Sequence, residues 1–269
     1  MKKFLFYLVL TLGAITFIYP FLWMTSASLR PMSEIGSLNL FSLNCSFENY
    51  DIVFNKIPIG RAFLNSVIVA GLMTLSVLFF SSITGYALSR LKFFGKDFIF
   101  TIIMFTMMIP FQLTLIPLYT LMVKLGWPDT YQSLIIPGAI SAMGIMIFRQ
   151  TFLGIPQSLV EAAKMEGCNH FQILFKIFIP LCKPAAVTVG IVTFMGAWNE
   201  VLWPMVVIRD RSMMTMPQLI TLFSVGGESG GQLGVQLAAA MILIIPIVIT
   251  YIFFQRYFIE GIASSGIKG

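Results

Sequence analysis

Residues 155–184 read IPQSLVEAAKMEGCNHFQILFKIFIPLCKP and form a polar, charged island between two hydrophobic stretches. Residues 157–166 are good helix formers without a breaker, and Gly167 directly after them is typical of a helix end, where the chain must turn left-handed. Asn169 can cap a second helix, because Gln172 stands three residues later, as in a capping box. The stretch therefore predicts a helix, a glycine turn and a second helix that lie outside the membrane.

The composition of the whole chain predicts membrane insertion. Of the 269 residues, 58% are hydrophobic and only 10% are charged, which is far from the usage of soluble domains. A helix needs about 20 mostly apolar residues to cross the hydrocarbon core of a bilayer. Six segments qualify, of which the fourth is the shortest: residues 4–25, 63–88, 98–123, 133–147, 185–207 and 237–258. We therefore predict an all-α integral membrane protein with six transmembrane helices.

The lysine and arginine residues predict the orientation, because short loops rich in these cations stay in the cytoplasm. With the N-terminus inside, most of the 17 cations fall on the cytoplasmic side, which also holds the polar island and the C-terminus. The formal net charge of +6 then follows from topology, and it implies no nucleic-acid partner. A secretory signal peptide is the alternative for the first apolar run. We favour a retained span, because a signal core has only about 7 to 15 residues.

Taken by itself, the polar island suits either of two roles. Leu159, Val160 and Met165 supply apolar contact area, and the small Ala162 and Ala163 allow another surface to approach closely. These properties suit a helix that docks in a groove of a soluble partner. The alternative is an interfacial helix that lies on the lipid headgroups.

Glu161-Ala162-Ala163, followed by Gly167 and by Ile179-Pro180, resembles the EAA loop of the permease subunits of binding-protein-dependent ABC importers. Three departures leave the sign of every charge unchanged: Met165, Glu166 and Cys168 stand where the family usually has Ile, Asp and Ala. The resemblance spans nearly the whole chain and is nearest to the sugar-importer branch, the maltose-permease-like proteins. Further similar stretches are Asn65-Ser66, Tyr86-Ala87-Leu88-Ser89-Arg90, Met108-Ile109-Pro110, Leu115-Ile116-Pro117, Arg149-Gln150, Trp198-Asn199-Glu200-Val201-Leu202-Trp203-Pro204, Gln255-Arg256-Tyr257-Phe258, Glu260-Gly261 and Lys268-Gly269.

The resemblance implies the type I ABC importer permease fold, in which the first helix is peripheral to a five-helix core. We accordingly expect residues 1–60 to form the first helix and an external loop. Residues 61–258 form the permease core, which includes the coupling segment 155–184, and residues 259–269 form a cytoplasmic tail. The protein is expected in a prokaryotic cell membrane, with both termini in the cytoplasm.

In that family the EAA loop is the coupling helix that docks on the ATPase, so the resemblance gives this role to Glu161, Ala162, Ala163, Met165 and Gly167. It also implies four kinds of partner: a second homologous permease subunit, two ATP-binding subunits, an extracytoplasmic solute-binding protein and a sugar substrate. ATP and Mg are then bound by the ATPase, and no cofactor is expected in this chain.

The residues themselves also indicate a chain without catalytic machinery. No glycine-rich segment ends in the Gly-Lys-Ser/Thr of a phosphate-binding loop. His170 is the single histidine, and the three cysteines lack the spacing of a metal site. We therefore expect no catalytic or metal-binding residue and place ATP hydrolysis on another polypeptide.

The outer part of the fifth span predicts a substrate pathway at Trp198, Asn199 and Glu200, and Asn65 at the start of the second span is a fourth candidate. A carboxylate near the centre of a membrane helix costs about 2.5 to 3.5 kcal/mol, so such residues usually face a bundle interior or a watery path. Asn and Glu can bind hydroxyl groups while aromatic faces cover the apolar side of a sugar. The alternative is that Trp198 and Trp203 are ordinary anchors of the aromatic belt.

The prediction is therefore a permease that moves a sugar or oligosaccharide by rocking its spans. Bends at Pro110, Pro117, Pro137 and Pro246 could serve this movement or could be static kinks. A permease of the same class for a polyamine, phosphate, glycerol phosphate or amino acid is the nearest alternative. A secondary transporter driven by an ion gradient is less favoured, because it should have several intramembrane carboxylates and only Glu200 fits that description. An intramembrane enzyme is disfavoured by the single histidine.

Overall fold

The computed structural model describes residues 2–31, 34, 44–227 and 229–266, with side chains up to residue 253. The side chains of Gln255–Phe258 and Glu260, quoted above for the resemblance, and all of Lys268 and Gly269 lie outside the described part. The helices, in chain order, are α1 (Lys2–Ser28), α2 (Glu48–Lys56), α3 (Ile59–Arg90), α4 (Lys96–Thr106), α5 (Phe111–Leu125), α6 (Tyr131–Ile135), α7 (Ala142–Leu153), α8 (Gln157–Met165), α9 (His170–Ile173), α10 (Ile179–Leu181), α11 (Lys183–Asn199), α12 (Leu202–Val207), α13 (Met216–Val225) and α14 (Leu233–Gly266). The described ranges contain no β-strand, so the all-α prediction is confirmed.

Three helices are long and apolar enough to cross a membrane alone, at Lys3–Ser28, Ile59–Arg90 and Leu233–Phe253. Three pairs of helices pass the same test together but are bent: α4 with α5 by 98°, Tyr131–Gly138 with α7 by 41°, and His170–Leu181 with α11 by 86°. The described residues therefore provide six spans if each bent pair counts as one.

Three of the predicted spans are not continuous helices. Residues 133–147 are broken between Gly138 and Ala142, and the other two are residues 98–123 and 185–207. Residues 98–123 are interrupted at Pro110, which is extended (φ −59°, ψ 130°) and precedes α5, because proline has no N–H to continue the helix. Residues 185–207 are interrupted at Glu200, which is also extended. Of the other predicted bends, Pro137 lies in a 3₁₀ turn at the 41° bend, whereas Pro117 and Pro246 lie inside unbroken helices.

The contacts group the chain into two units, one of which comprises Met1–Phe63 and Thr215–Ile249. None of the residues in the most apolar window of α1 is buried, as expected for a peripheral first helix. Asn49 of α2 donates hydrogen bonds to the carbonyls of Ser28 (2.9 Å) and Arg30 (2.8 Å). These bonds hold α2 against the end of α1.

The other unit comprises Leu64–Met214 and Thr250–Gly269 and contains the polar island. Helices α3 and α7 approach closely, because a Cβ on Gly85 would lie 2.8 Å from the Cβ of Phe148. One buried cluster joins the membrane helices to the island: Val77, Tyr86, Phe148, Phe152, Val160, Ala163, Ile173, Leu174, Phe178, Cys182 and Val189. The island is thus built on the core of the spans. The domain boundaries expected at residues 60 and 258 stay predictions.

Candidate functional site

The helix, glycine turn and helix predicted for the polar island are confirmed. Gly167 follows α8 with φ +82°, and its N–H donates to the carbonyl of Lys164 while that of Cys168 donates to Ala163, both at 2.9 Å. This pair of bonds is a Schellman motif, which closes a helix C-terminus. Asn169 and Gln172 form the complete capping box that begins α9.

Helix α8 has two faces with different neighbours. Val160 and Ala163 are only 3% and 5% exposed and belong to the buried cluster. On the outer side Glu161 and Ala162 are exposed, and Met165 is 90% exposed. The α8 ridge, defined here as Glu161, Ala162 and Met165, is therefore left exposed by the described residues of this chain.

Val160, which was predicted to offer apolar contact area to a partner, is buried in this chain, and so is Ala163; the coupling role of Ala163 stays a prediction. Residues three apart lie on the same side of a helix. Both side chains therefore lie on the apolar face of α8, which packs into the chain's own core. Of the predicted coupling residues, Glu161, Ala162, Met165 and Gly167 are exposed and Ala163 is buried. The structure brings these five together on one short helix and its turn.

Arg90, the last residue of α3, holds the entry to α8. Its guanidinium donates hydrogen bonds to the backbone carbonyls of Phe152 and Ile155 and to Oε1 of Gln157 at 3.1 Å. The guanidinium also lies 5.2 Å from the ring centre of Phe178. One cation thus binds the end of α7, the start of α8 and the chain beyond α9.

Tyr86, one turn before Arg90, holds the other side of the island. Its hydroxyl lies 2.9 Å from Nδ1 of His170 in α9. Its ring packs edge-to-face on Phe152 and Phe178, at centroid distances of 6.4 and 5.2 Å. Sequence reasoning quoted residues 86–90 only for their resemblance and missed both roles. The available signal was the four-residue spacing of a tyrosine and an arginine at the end of a span.

The chain turns sharply where the island returns to the membrane. A π-helical turn, Leu174–Phe178, precedes α10, and the axis bends by 86° before α11. The bend borders a cavity of about 520 Å³ whose lining includes Leu78, Ile179, Gly190 and Phe194. This lining is almost wholly apolar, so it offers few hydrogen-bond partners to a hydroxyl-rich solute.

The predicted pathway residues have different environments. Asn65 is 1% exposed; it donates to the carbonyls of Ser212 and Met214, both at 2.9 Å, and accepts from the hydroxyl of Tyr131 at 2.7 Å. Every polar atom of its side chain is therefore used to fix the connection after α12. Asn65 is a structural node in this conformation, and a solute can reach it only if these bonds open.

The other three candidates surround the break after α11. Trp198 is buried and its ring stacks on Phe194. Glu200 accepts from the backbone N–H of Trp203 at 3.1 Å, so its carboxylate caps the short α12. Asn199 is exposed, and its amide donates a hydrogen bond to the carbonyl of Met195 in its own helix. Asn199 and Glu200 are thus the accessible members of the predicted set.

Metal ligands are not clustered in the described residues, where no group of three His, Cys, Asp or Glu side chains could hold an ion. His170 is engaged with Tyr86.

An all-helical chain with broken apolar spans and a projecting helix–turn–helix is a polytopic membrane protein of the permease class. The chain belongs to the family described as binding-protein-dependent transport system inner membrane component, whose model matches residues 77–263.

Named relatives resemble the chain over almost its full length. It is 36% identical to the arabinooligosaccharides transport system permease protein AraQ of Bacillus subtilis, over 98% of this chain and 94% of that protein. It is 32% identical to the trehalose/maltose transport system permease protein MalG of Thermococcus litoralis, over 100% and 98%. A solved bacterial ABC transporter that imports the acidic polysaccharide alginate contains a chain with a TM-score of 0.85, 26% identity and 96% coverage of both chains.

Proposed function

We propose that this chain is a transmembrane subunit of an ATP-driven importer for a sugar or oligosaccharide, coupled through α8 to a separate ATPase. The observation that carries the proposal is the α8 ridge, where the side chain of Met165 is 90% exposed beside Glu161 and Ala162. The opposite face of the same helix is embedded in the core of the spans. A helix exposed on one side and anchored on the other suits the transfer of movement from a partner to the membrane.

The partners of this assembly are a second homologous permease subunit, two ATP-binding subunits and an extracytoplasmic solute-binding protein. ATP and Mg are bound by the ATP-binding subunits, and this chain contributes no catalytic residue. The α8 ridge, both termini and Arg90 lie on the cytoplasmic side of the membrane. The spans alternate between inward and outward openings, which requires that nucleotide and solute stabilise different states.

The substrate class follows from relatives whose names specify oligosaccharides, disaccharides or a polysaccharide. Within this chain, Asn199 and Glu200 are the proposed pathway residues, because both are accessible and can hydrogen-bond hydroxyl groups. Asn65 and Trp198 join the pathway only in a conformation that opens the outer end of the bundle.

Site-specific crosslinking tests the coupling role. Ala162→Cys should crosslink to an ATP-binding protein in native membranes, because residue 162 is exposed on the ridge. Ala163→Cys is the matched control one position away, and it should crosslink poorly because residue 163 is buried. Equal labelling of lipid alone at both positions, with no ATP-hydrolysing neighbour recovered, would count against the proposal.

Uptake by the copurified complex in liposomes tests the substrate class. A panel of labelled arabino-oligosaccharides, maltose, trehalose and alginate oligomers is compared with spermidine, phosphate and glycerol phosphate. ATP-dependent accumulation of a saccharide is expected. Uptake confined to spermidine, phosphate or glycerol phosphate would be consistent with an ABC importer but would contradict the proposal that its substrate is a sugar.

A further inference from the structure

Tyr86 and Arg90 lie one turn apart on α3 and together hold both legs of the polar island. Side chains four residues apart project from the same side of a helix. Arg90 binds the leg that enters α8, through Phe152, Ile155 and Gln157. Tyr86 binds the leg that leaves it, through His170. We call this pair of residues the α3 clamp.

The Arg90 half of the clamp depends on the shape of the guanidinium. The last carbonyls of a helix have no partner within the helix, and Phe152 lies in the final turn of α7. A planar fork with several N–H groups can bind two carbonyls and an amide at once, which a lysine ammonium on a flexible stem cannot reproduce. The face of Phe178 covers the cation from the other side. Arg90 is thus fixed by four contacts on three different segments.

The Tyr86 half adds a contact on the far side of the glycine turn. Its hydroxyl meets His170 in the first turn of α9, and its ring contacts Phe178, the residue that also covers Arg90. The two halves therefore share one aromatic neighbour. Because both legs are bound by a single membrane helix, movement of α8 acts on the end of α3 as well as on α7 and α11, which the chain and the buried cluster join to the island.

We propose that the α3 clamp makes the island and α3 move as one body, so that α3 is the span through which the ATPase drives the others. Tyr86 and Arg90 are positioning residues, since neither lies on the α8 ridge. The inference rests on the proposed function of that ridge. It predicts that a broken clamp leaves docking on the ATPase intact and separates the movement of α8 from that of α3.

Spin-label distances measure this directly. The labels are placed at Leu72, exposed on α3, and at Ala162 on the ridge, after Cys45, Cys168 and Cys182 are replaced by alanine. At 1.5 Å per residue, position 72 lies ~27 Å along α3 from Arg90, which suits pulsed measurement. The copurified complex is compared without nucleotide and with ATP and vanadate. In the unmodified clamp, the mean distance should change by less than about 2 Å, as for packed helices that move together.

The variants separate the clamp from general folding. Arg90→Lys keeps the charge and loses the fork, and Tyr86→Phe keeps the ring and loses the hydroxyl. Each should broaden the distance distribution and make its mean respond to nucleotide. Lys92→Ala, an exposed cation two residues on, should leave the distribution unchanged. If Arg90→Lys does not assemble, Tyr86→Phe carries the test alone.

Two further readouts keep the inference distinct from the proposed function. Crosslinking from Ala162→Cys to the ATPase should stay within about twofold of the parent in both clamp variants, because the ridge itself is unchanged. The coupling ratio, which is the amount of saccharide imported per ATP hydrolysed, should fall at least about tenfold in the double variant that combines Tyr86→Phe and Arg90→Lys. The clamp would be overturned if the spin-label distances of both variants matched those of the parent. It would also be overturned if the distance in the parent itself changed with nucleotide, because α8 would then move independently of α3. Absence of crosslinking in the parent would instead reject the role of the ridge.

Discussion

The carboxylate of Asp129 accepts a hydrogen bond from the backbone N–H of Arg209 at 2.6 Å. The same oxygen accepts from the N–H of Asp210 at 2.7 Å, and Asp129 itself has φ +58°, a conformation that aspartate tolerates better than most residues. A short connection after α5 therefore fixes the turn that follows α12.

We expect Asp129→Ala to release this turn and Asp129→Asn to preserve most of it. Alanine loses both bonds, each worth about 1.5 to 3 kcal/mol when one partner is charged, whereas asparagine keeps an acceptor oxygen and suits the left-handed backbone. Trypsin cleavage after the exposed Arg209 and Arg211 should be faster in the alanine variant. Asp51→Ala removes an exposed carboxylate elsewhere and is the control. Equal cleavage of all variants would show that the turn is held by other contacts.

Gly167 gives a prediction for the coupling segment. Gly167→Pro should insert normally but abolish transport, because proline cannot adopt φ +82° and lacks the N–H that binds Lys164. Gly167→Ala should cost only about 1 to 2 kcal/mol of backbone strain, since no atom lies within 4 Å of its Cβ position. Gly71→Ala, with equally open space in α3, should be neutral. Immunoblots of membranes and saccharide uptake measure the two effects, and normal uptake by the proline variant would contradict the prediction.

Gly85 tests the close approach of α3 and α7. An alanine Cβ at this position would lie 2.8 Å from the Cβ of Phe148 and 3.0 Å from the backbone nitrogen of Arg149, so Gly85→Ala should destabilise the protein by about 1 to 3 kcal/mol. Gly190→Ala is the matched control, because its nearest atom lies at 3.6 Å. Thermal unfolding followed by a thiol-reactive dye, which reports exposure of the buried Cys182, should show a lower midpoint for Gly85→Ala alone.

Asn65 is expected to act on stability. Asn65→Ala leaves the hydroxyl of Tyr131 and two backbone carbonyls without this partner, at about 1 to 3 kcal/mol for each buried group left unsatisfied. Asn65→Asp keeps an acceptor for Tyr131 but turns a buried carboxylate toward the carbonyl oxygens of Ser212 and Met214, so its midpoint should lie at or below that of the alanine variant. The same dye assay measures the series. An unchanged unfolding midpoint in Asn65→Ala would show that Asn65 does not stabilise the fold.

Asn199 is expected to act on transport. Its hydrogen bond to the carbonyl of Met195 is local and exposed, so Asn199→Ala should change the free energy of unfolding by less than about 0.5 kcal/mol, as is usual for surface positions. If the residue lines the pathway, the KM for the imported saccharide rises while the ATPase rate without solute stays the same. Thr188→Ala, a half-buried position in the same helix whose hydroxyl donates to the carbonyl of Pro184, is the control. Unaltered uptake kinetics would exclude Asn199 from the pathway.

Features that depend on local backbone chemistry could be predicted from the sequence. The glycine turn at Gly167 and the capping box at Asn169 and Gln172 use partners within five residues, and both were confirmed. The apolar length of α3 likewise needs only its own residues. By contrast, Pro110 was predicted as a bend, but the full interruption of the span there was not, because a proline inside an apolar run is compatible with either a kinked or an interrupted span.

Features that depend on distant partners could not be predicted in the same way. Asn65 binds a carbonyl 147 residues further along the chain, and Arg90 binds Ile155 across 65 residues. No spacing rule connects such positions until the helices are packed. The burial of Ala163 was missed for the same reason, since the side of α8 that faces the spans is set by the core and not by the composition of the helix.

Ala162 and Ala163 are identical neighbours in the sequence, yet one side chain is exposed and the other is 5% exposed within the core. If α8 docks on an ATPase as proposed, substitutions at the two positions have different limits. Residue 163 must fit the volume available inside its own subunit, whereas residue 162 must fit the surface of the partner. A change of partner can be accommodated at position 162 without refitting position 163, so a permease of this kind can acquire a different motor subunit while its own fold stays intact.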